Sequence, residues 1–184
     1  MWAEKDVEKI LVTEEQITAK AAELGRQITE DYARENSAPL LVALLRGSVP
    51  FFAELAKRID LDVEYDFMDV SSYVGRHSGG EIRILKDLDT SVRDRDVLLV
   101  EDIVDTGKTI QAVIELLYHR GARSVKIVTL LDKPSGRTNH LHADYIGFEV
   151  GNEFVVGFGM DFNQKYRTLP FIGVLKPECY QDKE

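Results

Sequence analysis

The amino-acid sequence predicts an α/β fold, a central and mainly parallel sheet flanked by helices. Apolar runs at 40–45, 97–100 and 125–131, the last broken by Lys126 and Thr129, have the length and branched character of buried strands. Between the later runs, Ile110, Val113, Ile114 and Leu117 recur at helical spacing. Turn chemistry at Arg46-Gly47-Ser48 and at Gly121 separates the two kinds of segment.

The elements follow in order. Thr13 with Gln16 matches a capping box, and Ile17, Ala21, Leu24, Ile28 and Tyr32 continue as an amphipathic helix to about Asn36. Residues 40–45 form the first buried strand, followed by a turn and a short helix over 49–59. A strand is expected at 63–70. The small, polar segment SSYVGRHSGG, 71–80, then reads as a mobile hairpin or lid before Ile82 and Ile84 resume alternation. Residues 97–131 make a strand–helix–strand unit, and Gly121 closes its helix. Further strands are expected at 145–150 and 154–158, separated by the turn dipeptide Gly151-Asn152.

The 184 residues suit one domain, since roughly 150 residues per domain is typical. With 44% apolar and 30% charged residues, the chain has the composition of a soluble globular protein. A net charge of −9 weighs against nucleic acid or an anionic membrane as partner, because both demand clustered cations. Cys179 is the sole cysteine, so no internal disulfide forms and a cytoplasmic setting is expected. The first residues, MWAEKDVEKILVTEEQ, lack the apolar core of a signal peptide, and no run approaches the roughly 20 apolar residues of a membrane span.

The stretch VLLVEDIVDTGKTI, 97–110, carries the chemistry. Gly107-Lys108-Thr109 resembles the end of a P-loop, but that motif needs glycine where Asp102 stands. A carboxylate at roughly 5 Å from a phosphate costs about 3 kcal/mol at an effective dielectric near 20, so the acids have another task. Amides and hydroxyls of Thr106, Gly107, Lys108 and Thr109, at a positive helix start, suit one terminal phosphate. Glu101, Asp102 and Asp105 then face a neutral, hydroxyl-rich group such as ribose, which carboxylates also stabilise as it turns cationic. The rest is bland by residue type: His140 and His142 lack further ligands, His77 and His119 read as non-catalytic, and Cys179 has no nucleophile signature.

This stretch resembles the donor-binding motif of the type I phosphoribosyltransferases. LLRGS (44–48), SSY (71–73), LLDKPSGR (130–137) and EFVVGFGMDFNQKYRTLP (153–170) are similar to the hypoxanthine-guanine branch of that family, and the likeness spans about 7–175. It implies the type I phosphoribosyltransferase fold with a small hood drawn from N- and C-terminal segments. It also implies transfer of a 5-phosphoribosyl group from phosphoribosyl pyrophosphate to a 6-oxopurine, hypoxanthine or guanine, with Mg2+ as cofactor and a homodimer or homotetramer as assembly.

Carried over to this sequence, Glu101 and Asp102 bind the ribose hydroxyls directly or through magnesium, Asp105 serves the purine N7 as general acid or base, and Thr106 to Thr109 hold the 5-phosphate. Arg46, Gly47 and Arg167 would bind pyrophosphate, with a cis peptide expected between Leu45 and Arg46, and Asp161 would be a further magnesium ligand. Ser72 and Tyr73 would belong to the lid, and Lys133, Phe154 and Val155 would meet the purine. Lysine offers donors and no acceptor, which favours a 6-oxo over a 6-amino purine. The alternatives are a xanthine-preferring transferase, an RNA-binding regulator on the same fold, and a P-loop kinase or nucleotide-binding module; the net charge and Asp102 weigh against the last two.

Overall fold

The computed structural model describes residues 4–72 and 82–180. Six strands form the main sheet: β2 (Leu40–Leu45), β3 (Tyr65–Ser72), β4 (Ile82–Lys86), β5 (Asp96–Val104), β6 (Ser124–Asp132) and β7 (Tyr145–Glu149), in the order β4-β3-β2-β5-β6-β7. All neighbours pair parallel except β3 and β4. A smaller antiparallel sheet joins β1 (Val7–Val12), β9 (Ile172–Leu175) and β8 (Val155–Val156).

The period of two along each strand sorts the core into two layers. Leu41, Ala43, Leu98, Val100, Val128 and Leu130 pack under α1 (Glu14–Arg34) and α2 (Val49–Ala56). Leu40, Val42, Leu44, Val97, Leu99 and Ile127 pack on the other side under α3 (Lys108–His119). Ile110, Val113 and Leu117 are the buried stripe of α3. Burying a side chain of this kind is worth roughly 1.5–3 kcal/mol, so the stripe pins the start of α3, and with it the preceding loop, to the sheet.

The capping box of α1 is complete: Gln16 N donates to Thr13 Oγ1 at 3.3 Å, and Thr13 N donates to Gln16 Oε1 at 2.8 Å. The second helix ends at Ala56 rather than 59, because Arg58 and Ile59 donate to Leu55 and Ala56 in the tighter three-residue spacing. β5 does not stop at Val100. It runs on through both acids, because pairing of Glu101 with Thr129 and Ile103 with Leu131 continues the ladder.

The segment 154–158 corrects an expectation. Only Val155–Val156 is strand, and it pairs with β9 in the small sheet instead of extending the main one. Of the expected lid, Ser71 and Ser72 end β3, and Tyr73 with the rest of 73–81 lies outside the described residues. Among the described residues, no helix is long and apolar enough to cross a membrane.

Candidate active site

Because β2, β3, β5, β6 and β7 run parallel, their C-terminal ends open on one edge of the sheet. Strand order reverses between β2 and β5, where open α/β sheets place their ligands. The residues after β2 (Arg46, Gly47), at the end of β5 (Glu101, Asp102, Asp105) and after β6 (Lys133) therefore gather there.

The two acids at the end of β5 border one hollow but differ in how far they reach beyond it. Glu101 is 8% exposed and lines a hollow of about 230 Å³ together with Thr106, Gly107 and Thr109. Burial, and next the charge of Asp102, push the Glu101 carboxyl well above the usual carboxylate range. Asp102 lines the same hollow and the neighbouring one, and its Oδ1 accepts from Ile103 N at 2.9 Å. Burial pushes Asp102 up too, against the opposing pull of backbone donors and Arg167.

The peptide between Leu45 and Arg46 is cis, as expected. Gly47 follows in a place with no room for a side chain: a Cβ there would lie 1.7 Å from Asp102 Oδ2. Its carbonyl also meets Gly159, whose own Cβ would lie 1.9 Å from it. Ser48 is fully buried and donates its hydroxyl to the Leu44 carbonyl, which ties the turn back to β2. Arg46 is exposed at this edge.

Gly107 caps α3 at φ +76°, a left-handed conformation that suits glycine. Thr106, Gly107 and Thr109 line the hollow in front of the helix, whereas Lys108 does not, and its amide donates to Thr106 Oγ1 at 3.4 Å. The second hollow, also about 230 Å³, is lined by Asp102, Asp105, Lys133, Phe154, Val155 and Asp161, with Ile103 and Met160 adding apolar wall. Lys133 Nζ stands 3.9 Å from Asp105 Oδ2 and 3.4 Å from the Glu153 carbonyl, so its charge bridges the main sheet and the small one.

Phe154 is 37% exposed, and Tyr180 stacks on it at 4.8 Å with 20° between the rings, while Phe162 meets it edge-on at 5.6 Å. Sequence reasoning missed Ile103, Met160 and Tyr180. Ile103 lay inside the quoted motif, but an apolar residue beyond the expected strand 97–100 and among acids carries no signal of its own, and nothing local marks Tyr180 as a neighbour of Phe154.

Asp161 and Arg167 are close to the cleft but engage each other, Arg167 Nη2 to Asp161 Oδ1 at 2.8 Å, and Arg167 Nη1 donates to the Gly159 carbonyl at 2.7 Å. No group of His, Cys, Asp or Glu side chains among the described residues converges into a ready-made metal cage. Magnesium usually takes one or two carboxylates and completes its shell with water and substrate phosphate oxygens. The hard, adjacent carboxyl oxygens of Glu101 and Asp102 fit that mode of binding. His119, His140 and His142 are exposed, in keeping with their bland reading.

A family model for the phosphoribosyl transferase domain matches residues 9–163. The hypoxanthine-guanine phosphoribosyltransferase of Lactococcus lactis is 56% identical over 178 residues, covering 96% of either chain. The protein of the same description from Bacillus subtilis is 52% identical over 177 residues, 96% of this chain and 97% of that one. A crystal structure of a hypoxanthine phosphoribosyltransferase from Staphylococcus aureus superposes with a TM-score of 0.94 at 46% identity, covering 99% of this chain and 98% of that one.

Proposed function

The chain belongs to the phosphoribosyltransferase family, and on that premise we propose that it transfers the 5-phosphoribosyl group of phosphoribosyl pyrophosphate to N9 of hypoxanthine or guanine. The products are IMP or GMP and pyrophosphate, and the reaction is one of purine salvage. The observation that carries this reading is the contact of two hollows, one bordered by a helix-capping loop and the other by Lys133 and Phe154, which share Asp102, Ile103 and Asp105. A ribose with a 5-phosphate spans such a pair, its phosphate at the loop and its C1′ at the shared wall.

In this reading Glu101 and Asp102 receive the ribose hydroxyls, and the amides and hydroxyls of Thr106, Gly107, Lys108 and Thr109 hold the 5-phosphate. Arg46, Gly47 and Arg167 take the pyrophosphate. Lys133 donates to the purine 6-oxo oxygen, Phe154 stacks on the ring, and Val155 meets its edge through the backbone. The C1′–oxygen bond breaks ahead of N9–C1′ bond formation, pyrophosphate departs with the electron pair, and the buried carboxylates stabilise the cationic ribose. Asp105 exchanges the proton at N7, and Ser72 and Tyr73 belong to a lid that excludes water. Magnesium, held by Glu101, Asp102 and Asp161, would offset the pyrophosphate charge.

A cytoplasmic setting and self-association as a homodimer or homotetramer belong to the same proposal. Sedimentation would read the assembly state.

The deciding experiment measures pyrophosphate release from the donor with hypoxanthine, guanine and xanthine offered in turn, with magnesium and again in excess chelator. Release with the first two bases and its loss on chelation are expected. Release with xanthine alone would replace the base assignment, release with no base would overturn the reaction, and persistence in chelator would refute the metal.

A further inference from the structure

From Val104, the last residue of β5, to Gly107, each backbone carbonyl is met by a donor from the one neighbouring segment 133–139. The Val104 carbonyl accepts from Lys133 N at 2.9 Å and from Arg137 Nη2 at 3.2 Å. Arg137 Nε reaches the Asp105 carbonyl at 3.0 Å. Thr138 gives both its amide and its hydroxyl to the Thr106 carbonyl, each at 3.1 Å. Asn139 Nδ2 donates to the Gly107 carbonyl at 3.1 Å.

The donors are themselves fixed. The Arg137 side chain is 9% exposed, ion-paired with Asp132 and bonded to the Leu141 carbonyl. Asn139 Oδ1 accepts from Leu141 N at 3.3 Å. Arg137 and Asn139 also pack on Gly107, since a Cβ there would meet Asn139 Oδ1 at 2.6 Å and Arg137 Cδ at 3.0 Å.

In a trans peptide the N–H points opposite to the C=O. Holding the carbonyls of Asp105 and Thr106 on one side therefore aims the amides of Thr106 and Gly107 to the other, toward the hollow, while the Gly107 carbonyl, shared by Asn139 and by Gln111 N at 2.9 Å, fixes the Lys108 amide beside Thr106 Oγ1. Free loops pay the cost of ordering when an anion binds; a loop tied at each carbonyl has met it in folding. We propose that Arg137, Thr138 and Asn139 are positioning residues that preorganise the loop for the donor's 5-phosphate. They act through the backbone and touch no substrate. The proposal rests on the reading of 106–109 as the phosphate loop.

The test compares the wild type with Asn139→Ala and Arg137→Lys, using ribose 5-phosphate and inorganic pyrophosphate as separate calorimetric probes beside steady-state kinetics. Loss of an aligned donor should weaken ribose 5-phosphate about tenfold and raise the donor KM by a similar factor, with kcat and pyrophosphate affinity nearly unchanged. Asn139→Ala leaves the Arg137–Asp132 pair intact, so it answers the question even where Arg137→Lys folds poorly. Unchanged ribose 5-phosphate affinity in Asn139→Ala, or equal losses for both probes, would overturn the proposal. Gly107→Ala separates the layers of inference. If it abolishes ribose 5-phosphate binding while Asn139→Ala does not, the bracing role alone fails; if it has no effect, the phosphate-loop reading fails with it.

Discussion

The two sides of the cleft are built differently. The side proposed for the ribosyl donor comes from one continuous stretch, 101–109, carried on a central strand and the start of a helix. The side proposed for the purine is collected from Lys133 after β6, from 153–155 beside β8 and from Met160 and Asp161, with Tyr180 behind Phe154. The proposed donor side is anchored by a strand of the central sheet and by the buried stripe of α3, although Asp105, Thr106 and Lys108 themselves are exposed. The proposed purine side instead draws on segments far apart in the chain, gathered beside a small sheet.

Substitutions on either side can break or sharpen this contrast. Asp105 stands where the two halves meet, and Asp105→Asn should lower turnover by about 10²- to 10⁴-fold, the span typical of a general acid or base. Near-normal turnover would leave the meeting point without chemistry. Lys133→Ala removes a charged donor, for which a loss of about 10- to 100-fold is ordinary. That loss should fall on the purine KM and spare the donor KM. Equal effects on both would show the two sides to be one unit. Tyr180→Ala should be the mildest: an aromatic pair of this kind is worth about 0.5–1.5 kcal/mol, so the purine KM should rise roughly two- to tenfold. A shift in donor KM of the same size would contradict the division.

The same contrast governs what the sequence makes legible. β2 declares itself because a strand buried on both faces is apolar throughout, β5 and β6 through the apolar stretch 97–100 and the largely apolar stretch 127–131 inside them, and α1 because its capping box is local. β1 went unread because half of its residues are exposed, in one run, and alternation is lost. β8 is too short to show a period, and its partner β9 is distant in sequence, so 154–158 suggested a longer strand than the two residues that pair. The acids at 101 and 102 read as a strand end, yet the ladder with β6 carries the strand through them. The bonds from Arg137, Thr138 and Asn139 to main-chain carbonyls leave no periodic trace, because acceptors of that kind exist at every position.

The segment after β8 meets the turn after β2 at Gly159 and Gly47, backbone against backbone. Neither residue carries a side chain there, so the spacing is set by main-chain atoms alone. Any larger residue at 159 would wedge the two segments apart at the mouth of the cleft, whatever its polarity.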